Sequence, residues 1–280
     1  MSEQRVSEKA VSATLRRLDV EADGSDHFIG QTGQQMGPPR LFGGLVAGQA
    51  VVAAARTVPG LQPHSLHAYF LQPGAPGIPI EYTVERLKEG KNFHARSVVG
   101  RQQQRTIFSL QASFQRPEPG IAHHDPMPEA PAPDDTPGSG RGFGFGRMGS
   151  PLQMRDCDGD LERSAERGDR RMWIKPAAAL PEDPVLHLGL LVFASDMSLV
   201  MTGTLPHAGL RGRHYGGASL DHAMWFHQLL PFDDWTLYTM RTPAAHGGRP
   251  LIEGTMYRRD GTRIVTVMQE GLIRTRRPRS

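Results

Sequence analysis

The stretch Ala218-Ser219-Leu220-Asp221-His222-Ala223-Met224-Trp225-Phe226-His227 has an echo earlier in the chain, Ser65-Leu66-His67-Ala68-Tyr69-Phe70. Ser-Leu and His-Ala recur in order, each time followed by an aromatic pair or near-pair. Such an echo points to one structural unit present twice. It extends outward. An apolar, Gly/Ala-rich run, residues 43–58, precedes the first copy, and another, residues 186–200, precedes the second. After Phe70 come two long strand-like runs, the last ending in Ile107-Phe108-Ser109-Leu110-Gln111-Ala112-Ser113-Phe114. After Phe226 come two more, the last ending in Val265-Thr266-Val267-Met268-Gln269-Glu270-Gly271-Leu272. Each half reads helix, strand, strand, strand, with a Gln near the end of the last strand. The order predicts an α+β chain of two tandem units, each a central helix wrapped by an antiparallel sheet.

The 280 residues suffice for one large or two small domains. A 38% hydrophobic and 22% charged composition is that of a soluble globular chain. No apolar run is read as reaching the roughly 18 residues of a membrane span, and residues 1–9 lack the apolar core of a signal peptide. The lone Cys157 excludes an internal disulfide and suits a reducing compartment such as the cytoplasm. Its neighbours, Asp156 and Asp158, argue against a reactive thiolate. The net charge is only +3. Basic residues cluster at 163–171 and 274–279, read as a solvated loop and tail, or as a weak attraction for an anionic ligand. No basic stripe is interleaved with stacking aromatics, so nucleic acid is not expected as a partner.

Along the chain, residues 15–29 read as a hairpin turning at Asp23-Gly24, and 31–40 as a loop. Residues 41–58 carry Leu45, Val46, Ala50, Val51 and Ala54 at helical spacing, stopped by Pro59-Gly60, and predict a buried helix. Strands follow at 64–71, 78–87, 93–99 and 106–115, with a turn at 88–91. Residues 116–150, rich in Pro, Gly and acidic side chains, predict an exposed linker that does not order itself firmly. It divides a first unit, 1–115, from a second, 151–280. The second has strands at 152–154 and 172–175, a polar insertion at 158–170, and a helix opened by Asp183-Pro184. That helix is apolar almost all round, with Asp196 as its exception. Strands at 219–227, 235–241, 252–258 and 263–274 complete it, with a hairpin turn at Asp260-Gly261.

A carboxylate in so apolar a helix is expensive unless paired or hydrogen-bonded. It either points out at a helix end, bonds to a backbone group nearby, or has a function. Ser219, at a strand start, and Gln269, an amide among Val265, Val267, Met268 and Leu272, are weaker signals alone. Together, an Asp, a hydroxyl and an amide from a helix and two strands can hold one water and orient it for attack.

These residues sit in segments that resemble the acyl-CoA thioesterase II family, the TesB-like double-hotdog hydrolases. The matching segments are Leu41-Phe42-Gly43-Gly44-Leu45-Val46-Ala47-Gly48-Gln49, His64-Ser65-Leu66-His67-Ala68-Tyr69-Phe70-Leu71-Gln72-Pro73-Gly74, Ala194-Ser195-Asp196, the stretch 219–227, and Gln269-Glu270-Gly271-Leu272-Ile273-Arg274. The resemblance implies a double hotdog fold and hydrolysis of fatty acyl-CoA by activated water, without an acyl-enzyme. It places the family's catalytic Asp on Asp196 and its Gln on Gln269. The family's Thr falls on Ser219, which keeps the hydroxyl and loses the methyl that restricts its rotamer. It further implies a homodimer or homotetramer, an apolar acyl tunnel beside the helices, arginines meeting the CoA phosphates, and an oxyanion donor near Gly43-Gly44. No cofactor and no metal are expected, since no histidines stand at zinc-ligand spacing with Cys. Nor is Gly43-Gly44 with Gly48 a phosphate loop, since no Lys-Ser/Thr follows. His67 and His222, in mirrored places, are read as packing residues, and Asp221 as a structural hydrogen-bond acceptor. Two alternatives stay open: an acyl-CoA-binding protein without turnover, and an acyl-thioester hydratase or dehydratase.

Overall fold

Helices α2 (Gly43–Arg56) and α4 (Pro184–Ser195) carry so few polar side chains that neither has a face suited to water. In the computed structural model, which describes residues 3–33, 40–136, 150–159, 161–207 and 215–275, they lie side by side and antiparallel, inside the sheet. Small residues let them approach. A Cβ added at Gly48 would stand 2.8 Å from the Gly189 carbonyl oxygen, and one at Gly44 would stand 2.5 Å from the Phe193 oxygen. One apolar core, from Val11 to Val267, encloses both helices.

The sheet is antiparallel throughout. Its first half comprises β1 (Glu21–Ala22), β2 (His27–Gly30), β3 (Gln62–Phe70), β4 (Ile80–Glu89), β5 (Phe93–Gln102) and β6 (Arg105–Gln115). The second comprises β7 (Leu152–Asp156), β8 (Asp169–Pro176), β9 (Tyr215–Ser219), β10 (Asp221–Phe226), β11 (Thr236–His246), β12 (Arg249–Arg258) and β13 (Arg263–Thr275). The strands run β1-β2-β4-β5-β6-β3-β10-β13-β12-β11-β8-β7, with β9 pairing farther along β13. Read inward from each edge, β2-β4-β5-β6-β3 and β8-β11-β12-β13-β10 have the same connectivity, with α2 and α4 following the first strand of each. This is the double hotdog. The two echoing stretches pair with each other: β3 meets β10 from Tyr69↔Asp221 to Ser65↔Trp225.

Cross-strand register aligns the halves. Tyr82 faces Gly100, Gly100 faces Phe108, and Phe108 faces Phe70. In the second half Tyr238 faces Met256, Met256 faces Val265, and Val265 faces Phe226. Tyr82 and Tyr238 are therefore counterparts, and each reaches a helix carbonyl, at Val46 and Ser195. Counting from this path, Leu66 corresponds to His222 and Ala112 to Gln269. The sequence echo finds the right strands in the wrong register. His67 is exposed and edge-on to Trp225 at 5.2 Å, whereas His222 is fully buried on the other face. They are not mirrored packing residues. Gln111 likewise faces outward and has no relation to Gln269.

Other expectations need correction. The chain opens with a helix, α1 (Glu3–Leu18), which takes in the start of the expected hairpin; the turn at Asp23-Gly24 joins only β1 and β2. Val11, Thr14, Leu15 and Leu18 are buried at helical spacing, so the signal was present. The insertion contains a short helix, α3 (Leu161–Arg167); Arg163 and Arg167 are exposed as expected, but the basic cluster is also ion-paired. Arg170 meets Asp156 at 3.0 Å, and Arg167 and Arg171 meet Asp158. The linker is exposed along most of 116–136 but is pinned to the second half. Met127 and Ala130 pack on Trp173, Trp235, Leu237 and Tyr257, and the Trp173 indole donates to the Pro131 oxygen at 2.8 Å. Its remainder, 137–149, lies outside the described residues, as do parts of the 31–40 loop and of the insertion, and the tail from 276. Pro184–Thr202 is long and apolar enough for a membrane span by length and composition, but 78% of its 18-residue apolar stretch is buried as core. Within it α4 ends at Ser195 and a short helix, α5 (Leu199–Thr202), follows; the expected strand 219–227 is broken at Leu220 into β9 and β10.

A Cβ at Gly48 would also stand 2.6 Å from Leu18 Cδ2, which can move, but the Gly189 carbonyl cannot. Gly48→Ala is expected to cost about 1–3 kcal/mol through overpacking, read as a lower urea midpoint with unchanged m-value.

Candidate active site

Asp196 is the C-cap residue of α4, with φ −77° and ψ −11°. It stands at a helix end, as one reading allows, but it is only 7% exposed. The chain then turns sharply at Ser198, whose φ of 73° is left-handed and costly for a non-glycine. Burial and the negative end of α4 both oppose ionisation. Three donors and one charge oppose them in turn. Gln269 Nε2 donates to Asp196 Oδ1 at 2.6 Å, and Ser219 Oγ donates to the same oxygen at 3.1 Å. The Gly44 backbone N–H, in the first turn of α2, and the positive charge of Arg40 also favour the carboxylate. Desolvation wins: the Asp196 pKa is pushed up from 3.8 to about 6.

The elements explain why these groups meet. Ser219 ends β9 and lies opposite Gly271 on β13, two residues beyond Gln269. Gln269 points inward from β13 and is fully buried. Its Nε2 is taken by Asp196, and its Oε1 has no protein partner. Phe42 provides no side-chain cap for α2, so the first-turn amides of that helix are open to an anion. Gly43 is required by proximity: a Cβ there would stand 2.8 Å from Asp196 Oδ2 and 3.0 Å from the Phe70 ring. The site thus joins the N-terminus of one half's helix to the C-terminus of the other's. Only the second half supplies the amide, because the counterpart of Gln269 is Ala112.

All three residues singled out from sequence come together, and Asp221 stays apart, accepting the Glu270 N–H at 2.6 Å. Of the backbone groups near Gly43-Gly44, the expected source of an oxyanion donor, the Gly44 amide serves Asp196. Sequence reasoning missed Arg40, an exposed residue whose guanidinium donates to the Gly217 oxygen on β9; nothing in its polar, Gly/Pro-rich surroundings marked it. The 720 Å³ cleft between α1 and residues 177–186 touches none of the three site residues, so it is not the expected acyl tunnel. Among the described residues no group of three or more His, Cys, Asp or Glu is placed to hold a metal ion. What the arrangement can do chemically is accept a proton near neutral pH, from a group held between a carboxylate and a free amide oxygen.

The raised pKa has a stability consequence. A carboxyl that titrates at 3.8 unfolded and about 6 folded costs nothing below pH 3.8 and progressively more above it, up to the folded value. Asp196→Asn removes that cost. Its stability relative to the unchanged protein is expected to grow by about 2–3 kcal/mol between pH 4 and pH 7, measured by urea denaturation at both.

Similarity to known proteins covers the same ground. A family model described as Acyl-CoA thioesterase matches residues 154–272, and one described as Acyl-CoA thioesterase N-terminal domain matches 32–115. Mouse acyl-coenzyme A thioesterase 8 is 34% identical over 93% of this chain and 87% of its own. Acyl-CoA thioesterase 2 of Haemophilus influenzae is 34% identical over 88% of this chain and 92% of its own. Among solved structures, acyl-CoA thioesterase II TesB2 from Mycobacterium marinum superposes with a TM-score of 0.81 at 38% identity, covering 94% of this chain and 98% of that one. With likeness in sequence and in structure spread over nearly its whole length, this chain belongs to the acyl-CoA thioesterase family and is a thioester hydrolase.

Proposed function

We propose that this enzyme hydrolyses fatty acyl-CoA to the free fatty acid and CoA by direct attack of a water held by Asp196, Gln269 and Ser219. The observation that carries this reading is the buried, unpartnered Oε1 of Gln269 beside a carboxylate of raised pKa. A water there donates one hydrogen to Asp196 and the other to Gln269 Oε1, leaving a lone pair for the thioester carbonyl. Asp196 takes the proton as attack proceeds, and the thiolate of CoA leaves with a proton returned from the same carboxyl. Ser219 and the Gln269 amide hold the carboxylate in line. A pKa near 6 suits a base at neutral pH: ionised at rest, yet basic enough to accept. The hydratase reading wants a histidine paired with an acid; His222 meets Ser195 instead. A binder without turnover would have no use for so costly a carboxylate.

A second reading rests on the 3.1 Å contact itself. Asp196 could deprotonate Ser219, and the serine could carry the acyl group. Ser219→Ala separates the two: water attack leaves measurable turnover, whereas an acyl-enzyme route loses all of it. Ser219→Thr is expected to retain activity.

We further propose that residues 1–115 and 151–280 are the two units and 116–150 their linker, in line with the repeated strand order. The protein is proposed to work in the cytoplasm, consistent with its lone cysteine, without cofactor, metal, membrane or nucleic acid. Its assembly is proposed as a homodimer or homotetramer, for which the exposed Tyr69 and Trp225 on the outer sheet face are suited; light scattering would return a monomer mass if this is wrong.

Thiol release from acyl-CoA tests the main reading. Asp196→Asn is expected to lower kcat by about a hundred- to ten-thousandfold. In the unchanged enzyme kcat/KM is expected to rise with pH through about 6 and then level, as Asp196 ionises. Gln269→Leu removes a donor to the carboxylate, so its acid limb is expected at higher pH. A flat profile down to pH 5 would exclude Asp196 as the base.

A further inference from the structure

Ser195, the residue before Asp196, is held from three sides. Its Oγ lies 2.8 Å from the Val192 oxygen one turn back, 2.8 Å from His222 Nε2 and 3.3 Å from Met224 Sδ. Its carbonyl oxygen accepts the Tyr238 hydroxyl at 2.7 Å. Ser195, His222 and Tyr238 are all fully buried. The serine has one hydroxyl hydrogen, and the Val192 oxygen can only accept. The best-satisfied arrangement therefore has Ser195 donating to Val192 and His222 Nε2–H donating to Ser195. That leaves His222 Nδ1 as a bare acceptor, and it is buried without a partner. Burial pulls the His222 pKa down to about 4, so the ring stays neutral at working pH.

The fold does not require this ring. The counterpart of His222 in the first half is Leu66, equally buried and packed as an ordinary core residue. The tyrosine, by contrast, is present in both halves, as Tyr82 and Tyr238, and is a device of the fold. The polar bridge occurs only in the half whose helix ends in Asp196, one residue beyond the bridged serine. Its location is also apt. His222 lies on β10, and β10 pairs with β13 through Ala223↔Met268, beside Gln269. A bond from β10 to the end of α4 thus sets the distance between Asp196 and the strand that carries its 2.6 Å donor.

We propose that His222 is a positioning residue: through Ser195 it fixes the last turn of α4 so that Asp196 meets Gln269 and Ser219 in reactive alignment. This rests on Asp196 as the catalytic base.

The test compares His222→Leu, the residue of the sister position, and His222→Gln, whose Nε2 can take the place of the ring donor, in the full-length enzyme. His222→Leu is expected to keep or raise the melting temperature, to lower kcat about ten- to a hundredfold, and to leave KM unchanged. His222→Gln is expected to recover most of kcat. Unchanged kcat in His222→Leu overturns the proposal. So does a loss of kcat that comes with a lower melting temperature and is not recovered by His222→Gln, since that marks a packing role. Asp196→Asn is measured in parallel. If it stays active, the base assignment fails and this inference with it; if it is inactive while His222→Leu has full kcat, the positioning role alone fails.

Discussion

The structure turns on one buried carboxylate. Asp196 stands at the negative end of an apolar helix, out of water, and its ionised form is tolerable only because donors converge on it from other elements. Gln269 and Ser219 reach it from β13 and β9, and Gly44 from the helix of the other half. Each of these needs its own support. Gln269 needs its strand held in register, Gly44 needs α2 to start close by, and Gly43 needs to have no side chain. The compensation is incomplete, and the remaining deficit is what raises the pKa to about 6. A better-solvated aspartate would be more stable and a poorer base. This is a local cost of the kind that active sites carry against overall stability.

The duplication supplies the scaffold, and its divergence supplies the chemistry. Both halves keep the strand order, the central helix and the tyrosine that reaches a helix carbonyl. Where the second half has His222 and Gln269 at the end of α4, the corresponding inward positions of the first half are Leu66 and Ala112. Yet the first half is not a bystander. It contributes the open N-terminus of α2, and the β3–β10 pairing makes the two sheets one. The site belongs to the joint and to neither half alone.

Much of this was legible in the sequence because it depends on hydrophobic patterning. A helix with almost no polar positions has to be enclosed, and alternating strands of similar length around it leave few other arrangements. Asp196 was conspicuous for the same reason: an ionisable group in an apolar run is visible by contrast. The resemblance to a family drew Ser219 and Gln269 to it, and the hydrogen bonds follow. Register was not legible. A repeat found by residue identity matched His67 with His222, although a shift by one residue in a strand reverses which face a side chain takes. The α1 helix was lost because Leu15 and Leu18 read as the start of a hairpin without Val11 and Thr14, which complete a 3.6-residue pattern with them. The linker is exposed as its composition predicts, but its contacts with the sheet were not legible, because composition describes what a segment can bury by itself and this one borrows Trp173, Trp235 and Tyr257 from the sheet beneath it. Roles that depend on backbone groups, such as that of the Gly44 amide, leave no mark on side-chain identity at all.

The central claim is that a single carboxyl, buried and held by Gln269 and Ser219, changes protonation close to neutral pH. Infrared difference spectroscopy observes this directly, through the carbonyl stretch of a protonated carboxyl in an apolar setting. The account predicts a band that grows as pH falls through about 6 and is missing from the Asp196→Asn protein. A band that titrates near pH 4, or one that persists in Asp196→Asn, would contradict it.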